Sequence, residues 1–474
     1  MATQQGEHLV ATESLASQRN ETEQRNNSTE EILTGPIVPV MLRLALPTLL
    51  VLVAQTFVGV IETYFVSSLG ASVLAGVSVV FPILMLMQMM ANGGIGSGLS
   101  SAVARACGAG RRDHAEALVW HGVIVALVLG TLFAAVLIIG GNTLYQLMGV
   151  SGAALSAALA YSTMIFLGSP LIWVVALLSA ALRGAGDTRT PACITLAGAI
   201  LLLPLSPLLI FGWGPIPAFG VRGAGLAVVI YYVIATLFLI NHMRSGKSLI
   251  KLSKTRLGTS FFGDILGVGL LSAIGTIQIN LTVTIITAAV GTFGSDAVAG
   301  YGIASRLEYL QVPLLFGLGT AIITMVGINT GAGQIRRAQR ITWIGAAIAF
   351  AFTQLLGIII AIFPQLWLTI FSDQQQVLMV GQNYLQTMAP FYGVIGVGMT
   401  LYFASIGMKR VLWPVLAGTV RMLIAALGGW VVVSYFDSNI QALFLTLAVS
   451  AVVYCALTAA SMLAIRKPNY SNNA

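Results

Sequence analysis

The sequence predicts an all-α integral membrane protein whose twelve transmembrane helices form two six-helix lobes. Three observations lead to this fold class: the composition, the length of the apolar runs and an internal repeat. Of the 474 residues, 57% are hydrophobic and only 8% are charged, whereas soluble domains carry about 25% charged residues. This composition excludes a soluble helical protein, because most of the surface must contact lipid.

The apolar runs fix the number of helices. Each run is long enough to carry a helix across a hydrocarbon core of about 30 Å. A transmembrane β-barrel would instead alternate apolar and polar residues in segments of about ten, and the sequence lacks that alternation. The predicted spans are 37–67, 73–103, 116–140, 155–182, 190–212, 221–243, 260–291, 296–329, 338–363, 378–406, 411–436 and 441–465.

The basic residues predict the orientation of the chain. An even number of spans places both termini on one side, and seventeen of the 23 basic residues fall on that side, against Arg222 alone on the other. Because basic residues collect in cytoplasmic loops, both termini are expected in the cytoplasm of a bacterial inner membrane. The seventeen are Arg105, Arg111, Arg112, Arg183, Arg189, Arg244, Lys247, Lys251, Lys254, Arg256, Arg336, Arg337, Arg340, Lys409, Arg410, Arg466 and Lys467.

An internal repeat divides the chain. LGASVLAG (69–76) and CGAGRRDHA (107–115) are echoed by FGSDAVAG (293–300) and TGAGQIRRA (330–338). The offset is 224 between Gly70 and Gly294 and 223 between Pro191 and Pro414. Parallel repeats of this kind enclose a cavity that rocking exposes alternately to the two sides of the membrane. We therefore predict a disordered cytoplasmic tail (1–34), an N-terminal lobe (35–245), a cytoplasmic linker (246–258) and a C-terminal lobe (259–474).

The sequence lacks the residues that several other classes of function require. The net charge of +8 follows from the topology of the loops, so no nucleic acid partner is expected. The three cysteines have no metal-ligand spacing. The four histidines lie in the tail or near the cytoplasmic ends of spans, which argues against an enzyme. A channel would need rings of like residues, and the sequence shows none.

Two acidic residues lie deep inside spans, Glu62 and Glu308. Glu62 follows Arg43 by nineteen residues, about 28 Å along a helix, so it belongs to the outer half of the first span. Burial disfavours the ionised form of a carboxyl group, and a carboxyl group at membrane depth is a functional candidate. Glu62 is thus the predicted proton carrier; the alternative is a structural acid bonded to Ser, Thr or Tyr neighbours.

Further cavity candidates are polar residues within spans. Gln55 and Gly59 share a helix face with Glu62. Glu308 and Arg306 are too close in sequence to share a face, so they need separate partners, and Arg421 is a candidate structural partner for Glu308. The polar residues Gln278 and Asn280 of the seventh span either line the cavity or bond between helices.

Five segments of the sequence carry a family resemblance: ETYFVSSLGASVLAGVSVVFP (62–82), ARACGAGRRDHA (104–115), LRGAGDTRTP (182–191), AVAGYGIASRLEYLQ (297–311) and NTGAG (329–333). With these segments the sequence resembles the multidrug and toxic compound extrusion (MATE) family over residues 37–465. The resemblance implies a two-lobed, twelve-helix exporter that is driven by entry of H⁺ or Na⁺. Its usual substrates are organic cations and other amphipathic compounds.

The resemblance also bears on the coupling ion. Glu62 falls where many prokaryotic members carry an aspartate used in ion coupling. The Asn and Asp of the family's LNxxLDP pattern are replaced by Leu202 and Ser206, which leaves Ser206 as a cavity candidate. The seventh span lacks the acidic residue of NorM-like members. These departures weaken a Na⁺ site and favour H⁺.

The predicted function is therefore an antiporter that exports organic cations or amphipathic drugs in exchange for H⁺ by alternating access. No cofactor is expected, Na⁺ remains the alternative coupling ion, and the protein is expected to act as a monomer in the bilayer. A lipid-linked oligosaccharide flippase is the second candidate, although only Arg306 and Arg421 are available inside the spans to hold phosphates. A receptor or scaffold is the third.

Overall fold

The computed structural model describes residues 29–246, 248–435 and 440–464, without the side chains of residues 309 and 433–435. Twelve helical spans follow one another, which confirms the predicted fold class. They are α1 (Ile37–Ser67), α2 (Ala71–Gly108), α3 (Arg112–Leu147), α4 (Gly152–Leu167 and Ser169–Gly184), α5 (Arg189–Phe211), α6 (Val221–Arg244), α7 (Thr259–Gly291), α8 (Ser295–Gly331), α9 (Ile335–Ile362), α10 (Gln375–Gly407), α11 (Leu412–Tyr435) and α12 (Ile440–Leu463).

Two spans contain breaks that the apolar pattern does not show. The span predicted at 155–182 is bent by 48° between its two helices, where Gly168 precedes Ser169 and Pro170. A proline ring removes a helical hydrogen bond donor, and beside it Ser169 Oγ ties the bend to α3 by donating to the carbonyl of Gly130 at 2.6 Å. α2 contains a π-helical turn, Met90–Ile95, and such turns are common at functional positions.

The structure contradicts the last six residues of the predicted disordered tail. Residues 29–34 form a helical turn, and Ile32 within it is buried. Glu31 forms an ion pair with Arg43 at 2.7 Å, and Arg337 donates to the carbonyl of Gly35. The prediction of disorder is therefore wrong for residues 29–34, because an apolar anchor and two charged contacts fix them. Residues 1–28 lie outside the described residues.

Helix α2 of the N-terminal lobe crosses helix α8 of the C-terminal lobe, and the internal repeat relates the two contacts at this crossing. A Cβ on Gly108 of α2 would lie 1.9 Å from the carbonyl oxygen of Ile328 in α8. A Cβ on Gly331 of α8 would lie 2.1 Å from the carbonyl oxygen of Arg105 in α2. Both pairs are related by the repeat offset of 223, so each lobe presents the same backbone contact to the other, as at a two-fold interface.

The lobes meet near the end of the bundle that carries Arg111 and Arg336, which we call the basic end. Gly98 of α2 lies against Gly269 of α7, where an added Cβ would be 2.7 Å from the backbone nitrogen. Thr324 Oγ1 of α8 donates to the carbonyl of Arg183 in α4 at 2.8 Å. These close approaches join the lobes in the half of the bundle nearest the basic end.

One face of α1 is buried near the basic end and exposed in the opposite half. Ala45 is buried, whereas Thr56, eleven residues or about three turns farther along the same face, is exposed, and Val60 is 65% exposed. A helix face that contacts the other lobe near the basic end and is exposed farther along borders an opening between the lobes. We call this opening the cleft.

Candidate functional site

The face of α1 that borders the cleft does not carry Glu62. Leu49 of α1 lies against Gly317 of α8, and Val53, Thr56 and Val60 continue that face as exposed residues. Glu62 lies thirteen residues beyond Leu49, about 140° away around the helix axis. Its side chain is therefore turned toward the interior of the N-terminal lobe.

The carboxyl group of Glu62 lies near two phenols. Its Oε1 atom is buried and has no hydrogen bond partner among the described residues. The group lies within electrostatic range of Tyr161 of α4 and Tyr232 of α6. A carboxylate in such a place lacks the hydrogen bonds and the cation that normally stabilise a buried charge.

Gln55 and Gly59, which were predicted to share a helix face with Glu62, lie beside open space. Gln55 is exposed. No atom lies within 4 Å of a Cβ built on Gly59. A stripe with an amide at one end and a carboxyl group at the other thus runs from the protein surface to the buried position of Glu62.

The second deep acid, Glu308 of α8, has direct partners. Tyr384 of α10 donates a hydrogen bond from its hydroxyl to Glu308 Oε1 at 2.5 Å. Arg421 of α11 lies within electrostatic range of the same carboxyl group, and its guanidinium carbon is 5.7 Å from the ring centroid of Tyr454. Glu308 is thus tied into the C-terminal lobe by a phenol and a cation.

The internal repeat relates a tyrosine near Glu62 to a tyrosine near Glu308. Tyr161 near Glu62 and Tyr384 near Glu308 are related by the offset of 223, so each lobe has an equivalent tyrosine near a deep carboxyl group. The acids themselves come from different helices, α1 and α8. Among the described residues, the electrostatic neighbours of Glu62 are phenols, whereas Glu308 also has Arg421.

Two of the predicted cavity residues lie inside the lobes. Ser206 of α5 is 1% exposed and its hydroxyl has no partner among the described residues. Gln278 of α7 donates from Nε2 to Thr419 Oγ1 of α11 at 2.7 Å. The sequence left open whether Gln278 bonds between helices or lines the cavity, and the structure shows the interhelical bond.

Two other predicted residues do border the cleft. Asn280 of α7 is exposed and lies seven residues, about two turns, beyond Ala273, which packs against Gly94 of α2. Arg306 of α8 is exposed and lies eleven residues, about three turns, before Gly317. The cleft therefore receives an amide from α7 and a guanidinium group from α8.

Comparison with known proteins agrees with this architecture. The MatE family model matches residues 47–208 and 272–431, one segment in each lobe. The chain belongs to the MATE family. Its members are transporters and not enzymes, which agrees with the prediction from the sequence, and the protein is a multi-pass membrane protein.

Individual MATE relatives cover most of the chain. An FAD transporter of Shewanella oneidensis is 28% identical over 88% of this chain and 93% of its own length. A probable multidrug resistance protein, NorM, of Thermotoga maritima is 27% identical over 84% and 86% of the two chains. The solved structure of a MOP superfamily transporter from Pyrococcus furiosus matches with a TM-score of 0.84 at 23% identity, over 92% of this chain and 98% of that one.

In this MATE protein an ion-pair group at the basic end was missed by sequence reasoning. Lys409 Nζ lies 2.5 Å from Asp264 Oδ1, and His114 Nε2 of the other lobe lies 3.7 Å from Asp264 Oδ2. Lys409 has a backbone φ of 58°, which is costly for a residue with a side chain. Its repeat counterpart is Gly186, with a φ of 95°. The signal was therefore present in the sequence: a lysine stands where the repeat places a glycine.

Proposed function

We propose that this MATE transporter is an antiporter that exports amphipathic small molecules in exchange for H⁺, with Glu62 as the protonatable coupling group. The proposal places the basic end on the cytoplasmic side of the cell membrane, because the seventeen basic residues named above belong to loops and helix ends of one side while Arg222 belongs to the other. The cleft of this structure then faces outward.

The observation that carries the proposal is the environment of Glu62. Its Oε1 atom is buried without a hydrogen bond partner, and its electrostatic neighbours are phenols. Since an ionised carboxylate in an apolar site is costly unless it is paired, binding a proton relieves that cost. Glu308 is a weaker candidate, because its carboxyl group has a hydrogen bond from Tyr384 and a cation, Arg421, within electrostatic range.

The cycle uses the two arrangements of the lobes. With the cleft open outward, a proton reaches Glu62 and the cargo leaves. When the lobes rock and the opposite side opens, the proton is released to the cytoplasm and new cargo binds. One proton supplies about 2.3 kcal/mol per 100 mV and about 1.4 kcal/mol per pH unit, enough for roughly a several-hundredfold gradient of a neutral solute.

The chemistry of the neighbourhood favours H⁺ over Na⁺ as the coupling ion. A sodium site needs several oxygen ligands, and the positions that supply them in the family pattern are here Leu202 and Ser206. A monomer suffices for this mechanism, because the acid, the cleft and both lobes belong to one chain.

Inside-out vesicles with an imposed gradient test the proposal. With an acidic lumen and no Na⁺, we expect vesicles containing the protein to accumulate a fluorescent amphiphile, either ethidium or riboflavin 5′-phosphate, above vesicles without it. Uptake that depends on a Na⁺ gradient but not on the pH gradient would show that the coupling ion is Na⁺ and not H⁺. Absence of gradient-driven uptake with both ions would contradict antiport.

A further inference from the structure

Arg306 is a charged side chain that is both deep in the membrane region and exposed. It lies eleven residues into α8, about 17 Å from the start of that helix. Its face of α8 continues as Leu310 and Leu314, which are 53% and 39% exposed, and then as Gly317, which contacts α1. The guanidinium group therefore belongs to the wall of the cleft.

The other deep charges are turned away from the cleft. Glu62 points into the N-terminal lobe, and Glu308 and Arg421 interact with each other and with tyrosines inside the C-terminal lobe. Asp296, in the first turn of α8, borders a separate pocket of about 360 Å³ with Gln376 and Ile440. Within the described residues, the deep part of the cleft thus has a positive charge without a carboxylate to balance it.

Arg306 has no hydrogen bond or ion pair in the part of the chain that the structure describes. A cation in a membrane segment is costly and is normally paired or used. Its planar fork of donors matches carboxylate and phosphate groups, to which it binds through two parallel hydrogen bonds. An unpaired guanidinium group is expected in a binding site where the cargo itself carries the anionic group.

The facing wall suits an aromatic cargo. On the cleft face of α1, Val53 and Val60 are aliphatic side chains that are 48% and 65% exposed. Thr56 of α1 and Asn280 of α7 add neutral hydrogen bonding groups. An apolar ring system would pack against α1 while its charged group reaches α8.

We propose that the cleft binds organic anions, namely amphipathic ring compounds whose phosphate or carboxylate group is held by Arg306. This proposal rests on the exporter function proposed above and replaces the cationic cargo that the family resemblance implies. A cationic cargo would meet the unbalanced charge of Arg306 and would be repelled.

Equilibrium binding of two flavins to the purified protein in detergent tests this charge preference. Riboflavin 5′-phosphate and riboflavin share one fluorescent ring system and differ by a phosphate group. We expect the wild type to bind the phosphate about tenfold more tightly, the size of effect typical of a charge-assisted hydrogen bond. Arg306→Gln should remove that preference without weakening riboflavin binding, and Arg306→Lys should keep part of it.

Arg222→Gln is the matched control, because Arg222 is an exposed arginine at the end of α6 away from the basic end; it should leave both affinities unchanged. The proposal is overturned if the wild type binds the phosphate no more tightly than riboflavin, including the case in which it binds neither. It is also overturned if Arg306→Gln weakens both flavins equally, or if tetraphenylphosphonium binds more tightly than riboflavin 5′-phosphate. Binding needs no ion gradient, so failure of proton coupling in vesicles would leave this result intact.

Discussion

Replacing Glu62 by Gln is expected to abolish gradient-driven export and to leave the protein folded in the membrane. The amide has nearly the shape of the protonated acid but cannot release a proton, so the exchange of proton for cargo stops. The measurement is uptake into inside-out vesicles with an acidic lumen, which should fall to the level of vesicles without the protein. Protein amount and monodispersity in detergent should stay at wild-type values.

Glu308→Gln is the matched control for this substitution, because it neutralises the other deep acid of the spans. Glu308 is bonded to Tyr384 and lies near Arg421, so its loss should lower thermal stability by leaving a partly buried cation less well compensated. The transport that remains should still depend on the pH gradient. If Glu308→Gln abolished coupling and Glu62→Gln retained it, Glu308 and not Glu62 would be the coupling residue.

Gly108→Val is expected to produce the largest loss of stability. A Cβ at this position would lie 1.9 Å from the backbone oxygen of Ile328, and a backbone atom cannot rotate away as a side chain can. Overpacking of this kind costs about 3 kcal/mol, and here it also separates the two lobes where α2 crosses α8. The measurement is the thermal unfolding midpoint in detergent, which should fall markedly.

The repeat supplies a second variant and a control for this prediction. Gly331→Val changes the equivalent contact, with Arg105, and should destabilise the protein to a similar extent. Gly140→Ala changes a helical glycine of α3 with no atom within 4 Å of the added Cβ, so it should be neutral or slightly stabilising. Equal midpoints for Gly108→Val and Gly140→Ala would show that the crossing of α2 and α8 is not a tight contact.

Much of the architecture could be predicted from the sequence, because hydrocarbon imposes a simple rule on helix length and charge. The twelve spans follow from apolar runs, and the repeat offset of 223 reappears in the paired contacts of Gly108 and Gly331. The bend at Gly168 coincides with Pro170, a residue type that interrupts helices, whereas the angle of the bend depends on the packing of the neighbouring helices and could not be predicted. The helical turn at 29–34 was missed because one buried Ile32 is a weak signal beside many polar residues.

The site could be predicted only in part. The depth of Glu62 is a matter of counting residues, whereas the direction of its side chain depends on which helices pack around α1. Gln278 and Asn280 differ by two positions, yet one bonds to α11 and the other borders the cleft, because neighbouring positions point to different faces of a helix. Lys409 was counted with the basic residues of the loops, so its place at the repeat position of Gly186 was overlooked, although both residues have a positive φ.

The central claim, that Glu62 exchanges a proton for cargo, is tested most directly by counting protons. Purified protein in weakly buffered detergent should release protons when saturating cargo is added, at a pH where the acid is protonated in the cargo-free state. The wild type and Glu308→Gln should both release them, and Glu62→Gln should release none. Proton release from Glu62→Gln equal to that of the wild type, at matched cargo binding, would contradict the account.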